Sequence, residues 1–169
     1  MDLLMREPLD AQAFDALSRR LRRPLYAFVT AVMLDPGAAE DVTQRAFELA
    51  LARRQSFRPE RGSVEAWLFG IARNVALDER RARERRPAAV DPALRASSDG
   101  HVEQTDRRAA LFAALRTLEP SERELIALKF WSDRSNREIA AIVGCSESNV
   151  GTRLHRAMSK LREICDDLA

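Results

Sequence analysis

The sequence predicts an all-α protein made of two small helical domains joined by a flexible linker, the C-terminal one a helix-turn-helix. Three observations predict it. Apolar residues recur three or four positions apart in residues 9–33, 38–55, 64–86 and 106–118, the spacing that lines one side of a helix. From Pro87 the stretch PAAVDPALRASSDGHVEQ keeps no such period, and its prolines, serines and glycine mark a connector. Residues 135–162, SNREIAAIVGCSESNVGTRLHRAMSKLR, contain the start, turn and restart of two successive helices. The expected division is therefore 1–86, a linker at 87–105, and 106–169.

Composition narrows the class. The chain has 169 residues, 46% of them hydrophobic, enough for packed cores in one domain or two small ones. Because 28 Lys and Arg face 26 Asp and Glu, the net charge is only +2, so local clusters rather than bulk charge must identify partners. Two cysteines, Cys145 and Cys165, form no C-x-x-C or Cys/His cluster, which points away from zinc and from a disulfide framework. A reducing, cytoplasmic setting fits, and no cofactor or metal is expected. No apolar run approaches the roughly 20 residues of a membrane span, and Asp2, Arg6, Glu7 and Asp10 interrupt any signal-peptide core.

In the first segment Phe14, Leu17, Leu21, Leu25, Phe28, Val29 and Val32 form the apolar stripe, and Pro24 predicts two helical pieces because proline removes a helical hydrogen bond. Asp35-Pro36-Gly37 is a turn. The next helix, about 38–55, directs Val42, Ala46, Leu49 and Phe47 inward. Its Glu40, Asp41, Gln44 and Glu48 fall on one polar ridge, either simply solvated or suited to docking a partner helix. Residues 57–62 read as a basic loop, FRPERG, and Ser63 caps a third helix with Trp67, Leu68, Ile71, Val75 and Leu77 inward. Asn74, Arg80, Arg81 and further arginines are expected on its surface. With the loop they make either a solvated basic end or a platform for single-stranded nucleic acid.

His101, in the linker, has no second candidate ligand nearby. Ala109, Phe112 and Leu115 give the next helix its stripe. A further helix starts at Pro120, a residue tolerated in a first turn, and Leu125, Ile126, Leu128, Phe130 and Trp131 are expected in its core. Ser135 and Glu138 then form an S-x-x-E capping box, Gly144 supplies the left-handed exit, and Ser146 caps the last helix. With Val150, Leu154, Ala157, Met158 and Leu161 inward, Ser148, Thr152, Arg153, His155, Arg156 and Lys160 face outward. That row either fits the DNA major groove or is a solvated basic face.

Taken together, AEDVTQRAF, then FRPERGSVEAWLFGIARNVALDERRARERR, then LEPSERELIALKFWSDRSNREIAAIVGCSESNVGTRLHRAMSKLRE resemble a bacterial RNA polymerase sigma factor of the small, extracytoplasmic-function group, over residues 12–163. The resemblance implies that Asp41 and Gln44, flanked by Glu40 and Glu48, dock on the clamp coiled coil of the core polymerase. It implies that the loop around Phe57, Arg58, Arg61 and Ser63, with Asn74 on the following helix, captures a flipped base of the downstream (minus-ten) promoter element. It implies that Thr152, His155 and Arg156 read the upstream (minus-thirty-five) element, with Arg153 near phosphate. Two positions depart from the family pattern: Arg45 stands where an acid is common, and Gly151 where a basic residue is common.

The expected function is then promoter-specific initiation without catalysis: the protein binds core polymerase and promoter DNA, stabilises the melted strand, and answers to an anti-sigma factor. No small-molecule substrate and no membrane insertion are expected. Two other readings differ in what they require. A self-sufficient helix-turn-helix regulator would bind duplex DNA specifically without polymerase. A helical metallohydrolase built on Glu40, Asp41 and Glu48 would need a facing His or Asp cluster.

Overall fold

The computed structural model describes residues 9–85 and 102–167. Those residues form seven α-helices and two short 3-10 turns, with no strand among them. The helices are α1 (Ala11–Met33), α2 (Pro36–Ala52), α3 (Val64–Glu84), α4 (Val102–Thr117), α5 (Pro120–Trp131), α6 (Asn136–Val143) and α7 (Glu147–Asp167). The 3-10 turns, Arg54–Ser56 and Pro59–Arg61, shape the loop between α2 and α3.

Pro24 does not divide the first helix: α1 runs unbroken through it. Leu21, Leu25 and Phe28 are buried on both sides of the proline, so tertiary packing holds the helix where one backbone hydrogen bond is missing. Asp10 starts α1 by accepting from the Ala13 N–H at 2.7 Å, and Leu34, at φ 55°, ends it in a left-handed turn. Asp35 immediately starts α2, accepting from Ala38 N–H at 3.1 Å with Pro36 in the first turn.

Against α1, α2 presents Ala39, Val42, Ala46 and Ala50, and α3 presents Leu68, Phe69, Ala72, Val75 and Ala76, all buried. The small residues let the backbones approach. Between them the rings of Phe28 and Phe69 meet edge to face, with centroids 5.5 Å apart, worth about 0.5–1.5 kcal/mol beyond the area they bury.

The C-terminal unit is built on Leu115, Leu118, Leu125, Ile126 and Leu128 of α4, the turn after it and α5, closed by Ile139 and Ala140 of α6 and by Val150, Leu154 and Ala157 of α7. The predicted capping box is present: Ser135 Oγ accepts from Glu138 N–H at 3.2 Å while Glu138 Oε2 accepts from Ser135 N–H at 3.0 Å. Gly144 leaves α6 at φ 77°, a conformation that favours glycine, and Ser146 Oγ accepts from Asn149 N–H at 3.2 Å to start α7.

Other expectations need correction. Helix α4 starts at Val102, inside the stretch expected to be linker. Ala109 is exposed, and Phe130, expected in the core, is 60% exposed. On α5 the buried run is residues 123–128, and the helical turn carries Phe130 round to solvent while Trp131 packs half-buried against the core.

The two units are not held apart. α1 packs on α5 and α3 on α6, so that the buried side chains form one continuous cluster.

Candidate functional site

The four ridge residues of α2, Glu40, Asp41, Gln44 and Glu48, are all exposed and fall within little more than two helical turns. Gln44 Nε2 donates to Glu48 Oε1 at 2.9 Å, so these two side chains steady one another. The ridge separates two grooves. A groove of about 640 Å³ between α1 and α2 is lined by Arg19, Arg22, Arg23, Tyr26, Gln44 and Phe47. A groove of about 330 Å³ on the other side is lined by Asp41, Gln44, Arg45, Glu79 and Arg83. Arg45 pairs with Glu79 of α3 at 3.3 Å, which ties its charge to its own domain. Glu40 and Glu48 border the first groove with Gln44, and Asp41 faces the second, so the structure gathers these four side chains on one surface.

The loop before α3 is ordered by its own contacts. Phe57 packs its ring on Trp67, with centroids 5.6 Å apart and planes inclined at 52°. Arg58 Nη1 folds back to the Gln55 and Phe57 carbonyls at 2.9 and 3.1 Å, while Arg61 stands exposed. Gly62, at φ 143°, lets the chain turn into Ser63, which caps α3 by accepting from Ala66 N–H at 3.2 Å. On α3, Asn74 and Arg81 are exposed seven residues apart and so share a face. Arg80 is not with them. It is half-buried, near Arg123 of α5, and burial together with that neighbouring charge pulls the Arg123 guanidinium below its ordinary value.

On α7, Ser148, Thr152, His155 and Arg156 are exposed along one side. Thr152 Oγ1 donates to the Ser148 carbonyl at 3.0 Å. Arg153 is half-buried at the edge of that row. Lys160 is drawn off it: its Nζ donates to both Glu122 oxygens, at 2.7 and 2.9 Å, and with lesser help from the Glu119 backbone this holds the Glu122 carboxyl below its usual range against the opposing effect of burial.

Sequence reasoning missed the contacts that join the two units. Ser63 Oγ donates to Glu138 Oε1 of α6 at 2.7 Å and accepts from Arg134 Nη1 at 3.2 Å. Arg73 of α3 pairs with Glu124, a carboxylate of α5 that is almost fully buried. Burial pushes the Glu138 carboxyl up, but the Ser135 N–H, the Ser63 and Ser135 hydroxyls and the Arg134 charge outweigh it, and the net direction is down. One local signal existed: Glu124 sits on an apolar run of α5, where an acid needs a partner.

Among the described residues no group of His, Cys, Asp and Glu is arranged to hold a metal ion, and no helix is long and apolar enough to cross a membrane.

Comparison with known proteins agrees with this arrangement. Residues 17–86 match the family model of Sigma-70 region 2, and residues 108–161 that of Sigma-70 region 4. The RNA polymerase sigma-E factor of Streptomyces coelicolor is 31% identical over 149 residues, 88% of this chain and 79% of that protein. The ECF RNA polymerase sigma factor SigK of Mycobacterium sp. strain KMS is 27% identical, covering 96% of this chain and 89% of the relative. Among solved structures, CnrH in complex with the cytosolic domain of CnrY superposes with a TM-score of 0.74 at 27% identity, over 95% of this chain and 92% of that one. The sigma factor RpoE in complex with the anti-sigma factor NepR from Bartonella quintana gives 0.74 at 27% identity, over 92% and 98%. The chain belongs to the RNA polymerase sigma factors of the extracytoplasmic-function group, proteins that direct transcription initiation to promoters.

Proposed function

We propose that residues 1–86 dock on core polymerase through Asp41 and Gln44, with Glu40 and Glu48 beside them, and hold an unstacked downstream-element base against the loop of Phe57, Arg58, Arg61 and Ser63. Asn74 and Arg81 extend that surface along α3. The unit from α4 onward grips duplex DNA at the upstream element through Ser148, Thr152, Arg153, His155 and Arg156, and the chain between Arg85 and Val102 links the two. The protein works in the cytoplasm and catalyses nothing itself; the polymerase supplies the chemistry. Unstacking a base costs a few kcal/mol, and a surface that binds only the extruded base offsets that cost in the open state alone, which couples melting to sequence. An anti-sigma factor controls the chain, as the partner chains in the two similar structures suggest.

The observation that carries this reading is the order and exposure of the two candidate surfaces: an exposed acid-and-amide ridge on α2 in the first region and an exposed polar face on α7 in the second. Run-off transcription by core polymerase, with and without this protein, on a library of promoter sequences tests it. Enrichment of a two-part promoter only when the protein is added is the expected result. Failure to associate with core polymerase, together with tight occupancy of a duplex operator by the protein alone, would overturn it.

A further inference from the structure

The groove between α1 and α2 has two unlike walls. Arg19, Arg22 and Arg23 line it from α1, and Glu40, Gln44 and Glu48 line it from α2. Tyr26 and Phe47, both half-buried, add one ring from each helix. Its volume of about 640 Å³ lies within the range of small-molecule sites. Some of these side chains are already engaged: Arg19 pairs with Asp15 at 2.5 Å, and Gln44 donates to Glu48 at 2.9 Å. Arg22, Arg23 and Glu40 form no ion pair among the described residues, which leaves two cations on one wall and a carboxylate on the other available to a ligand.

Thr43 supplies an independent observation. A threonine inside a helix commonly donates its hydroxyl to the carbonyl one turn back, as Thr30 does to Tyr26 at 2.7 Å and Thr152 does to Ser148 at 3.0 Å. Thr43 does not. It is only 6% exposed, it lines the groove, and its Oγ1 has no hydrogen-bond partner. A buried hydroxyl without a partner is costly, and a polar ligand atom in the groove would satisfy it.

We propose that the α1–α2 groove is a binding site for a purine nucleoside diphosphate or triphosphate. The phosphates lie on Arg22 and Arg23, whose guanidinium forks match phosphate oxygens. The base packs on Tyr26 and Phe47, Glu40 accepts from its Watson–Crick edge, and the Thr43 hydroxyl gains its missing partner. Guanine carries adjacent ring and amino N–H donors that one carboxylate takes together, whereas adenine offers its amino group alone, so guanine is the favoured base. A bare polyanion would gain nothing from the two rings and would be repelled by Glu40 and Glu48. A purely apolar ligand would leave the arginines and Thr43 unused. Because Glu40, Gln44 and Glu48 also belong to the ridge assigned above to core polymerase, one consequence rests on that reading: nucleotide in the groove and polymerase on the ridge weaken each other's binding by the same factor.

Calorimetric titration of the full chain with GDP, in the absence of polymerase, tests the site. GDP should bind more tightly than ADP, and both more tightly than inorganic pyrophosphate. Arg22→Ala combined with Arg23→Ala should weaken GDP binding at least about tenfold, and Thr43→Val about three- to tenfold, the worth of one hydrogen bond. Since the Thr43 hydroxyl has no partner within the chain, Thr43→Val should melt no lower than the parent. Should it unfold, the variant at the two exposed arginines decides. No binding at about 1 mM GDP overturns the site. Pyrophosphate binding as tightly as GDP overturns the purine, and GDP binding that neither variant alters overturns the groove. Labelled chain is then titrated with core polymerase at saturating GDP. Association should weaken for the parent and not for the arginine variant; equal behaviour of the two overturns the competition. A chain that fails to bind core polymerase at all refutes the docking reading, while the titration with GDP still judges the groove.

Discussion

Arg83 donates to Asp35 Oδ2 at 2.6 Å, joining the last turn of α3 to the residue that starts α2. Asp35 therefore serves two partners, the Ala38 N–H at the head of its own helix and a guanidinium 48 positions away. Burial pushes its carboxyl up, but those two partners outweigh it and hold it below its ordinary value of 3.8. Glu65, paired with Arg20, and Glu138 are likewise lowered from 4.5.

The sign of the pH dependence follows. A carboxyl whose folded pKa is depressed contributes its full stabilisation above its unfolded pKa and loses it as pH falls through the folded value. We expect stability to be level near neutrality and to decline below about pH 4.5, where the unfolded chain begins to take up protons that the folded chain refuses. Asp35→Asn, which keeps a capping side chain, should flatten part of that decline; urea midpoints between pH 7 and pH 3 measure it. An unchanged acid slope in the variant would remove Asp35 from the account.

Two glycines seven residues apart should respond in opposite directions. At Gly144, φ 77° makes any side chain strained, and Gly144→Ala should cost about 1–2 kcal/mol. Within α7 a Cβ on Gly151 would meet only Asn136 Nδ2, at an ordinary 3.7 Å, so Gly151→Ala should gain up to about 1 kcal/mol. Denaturant unfolding of the two variants beside the parent chain checks both signs.

On the proposed docking ridge, Asp41→Ala and Gln44→Ala should each weaken core-polymerase binding by about 10- to 100-fold. Because both side chains are exposed, thermal stability should move by no more than about 0.5 kcal/mol. A titration of labelled protein with core enzyme, paired with a melt, separates lost contact from lost fold.

Along α7, Arg156→Ala and Thr152→Ala should relax preference at individual positions of the upstream element, by about 1–3 kcal/mol per lost base contact. Arg153→Ala should instead weaken binding to all sequences alike and lower the salt slope by about one. Selection from a randomised upstream element, repeated at two salt concentrations, distinguishes the two effects. Lys160→Ala should behave differently again, because its Nζ is already bound by Glu122.

Features written within a few residues were legible in the chain before any coordinates. Ser135 with Glu138, Gly144, and Ser63 ahead of α3 are local devices in which side chain and backbone satisfy each other inside one turn, so spacing alone reveals them. The exposed rows of α2 and α7 were legible for the same reason: helical periodicity fixes which residues share a side. What escaped was decided by packing between distant segments. Pro24 reads as a break until Leu21, Leu25 and Phe28 are seen to be buried around it. Phe130 is an aromatic at the end of an apolar helix, yet no neighbour among the described residues covers that side. Arg80, grouped by sequence with Arg81, was separated from it by the arrival of Arg123 on another helix. Nor does anything in the local sequence say that Glu138 reaches a serine 75 positions earlier.

Because α1 packs on α2 and α3 along one side and on α5 along another, it is a wall common to both units. Chimeras that borrow a relative's C-terminal half to retarget transcription would therefore inherit a foreign surface against Tyr26, Thr30 and Ala31, which border the seam with Leu111, Phe112 and Trp131. Matching those six positions as a set, rather than cutting at the linker alone, is the design rule that this wall imposes.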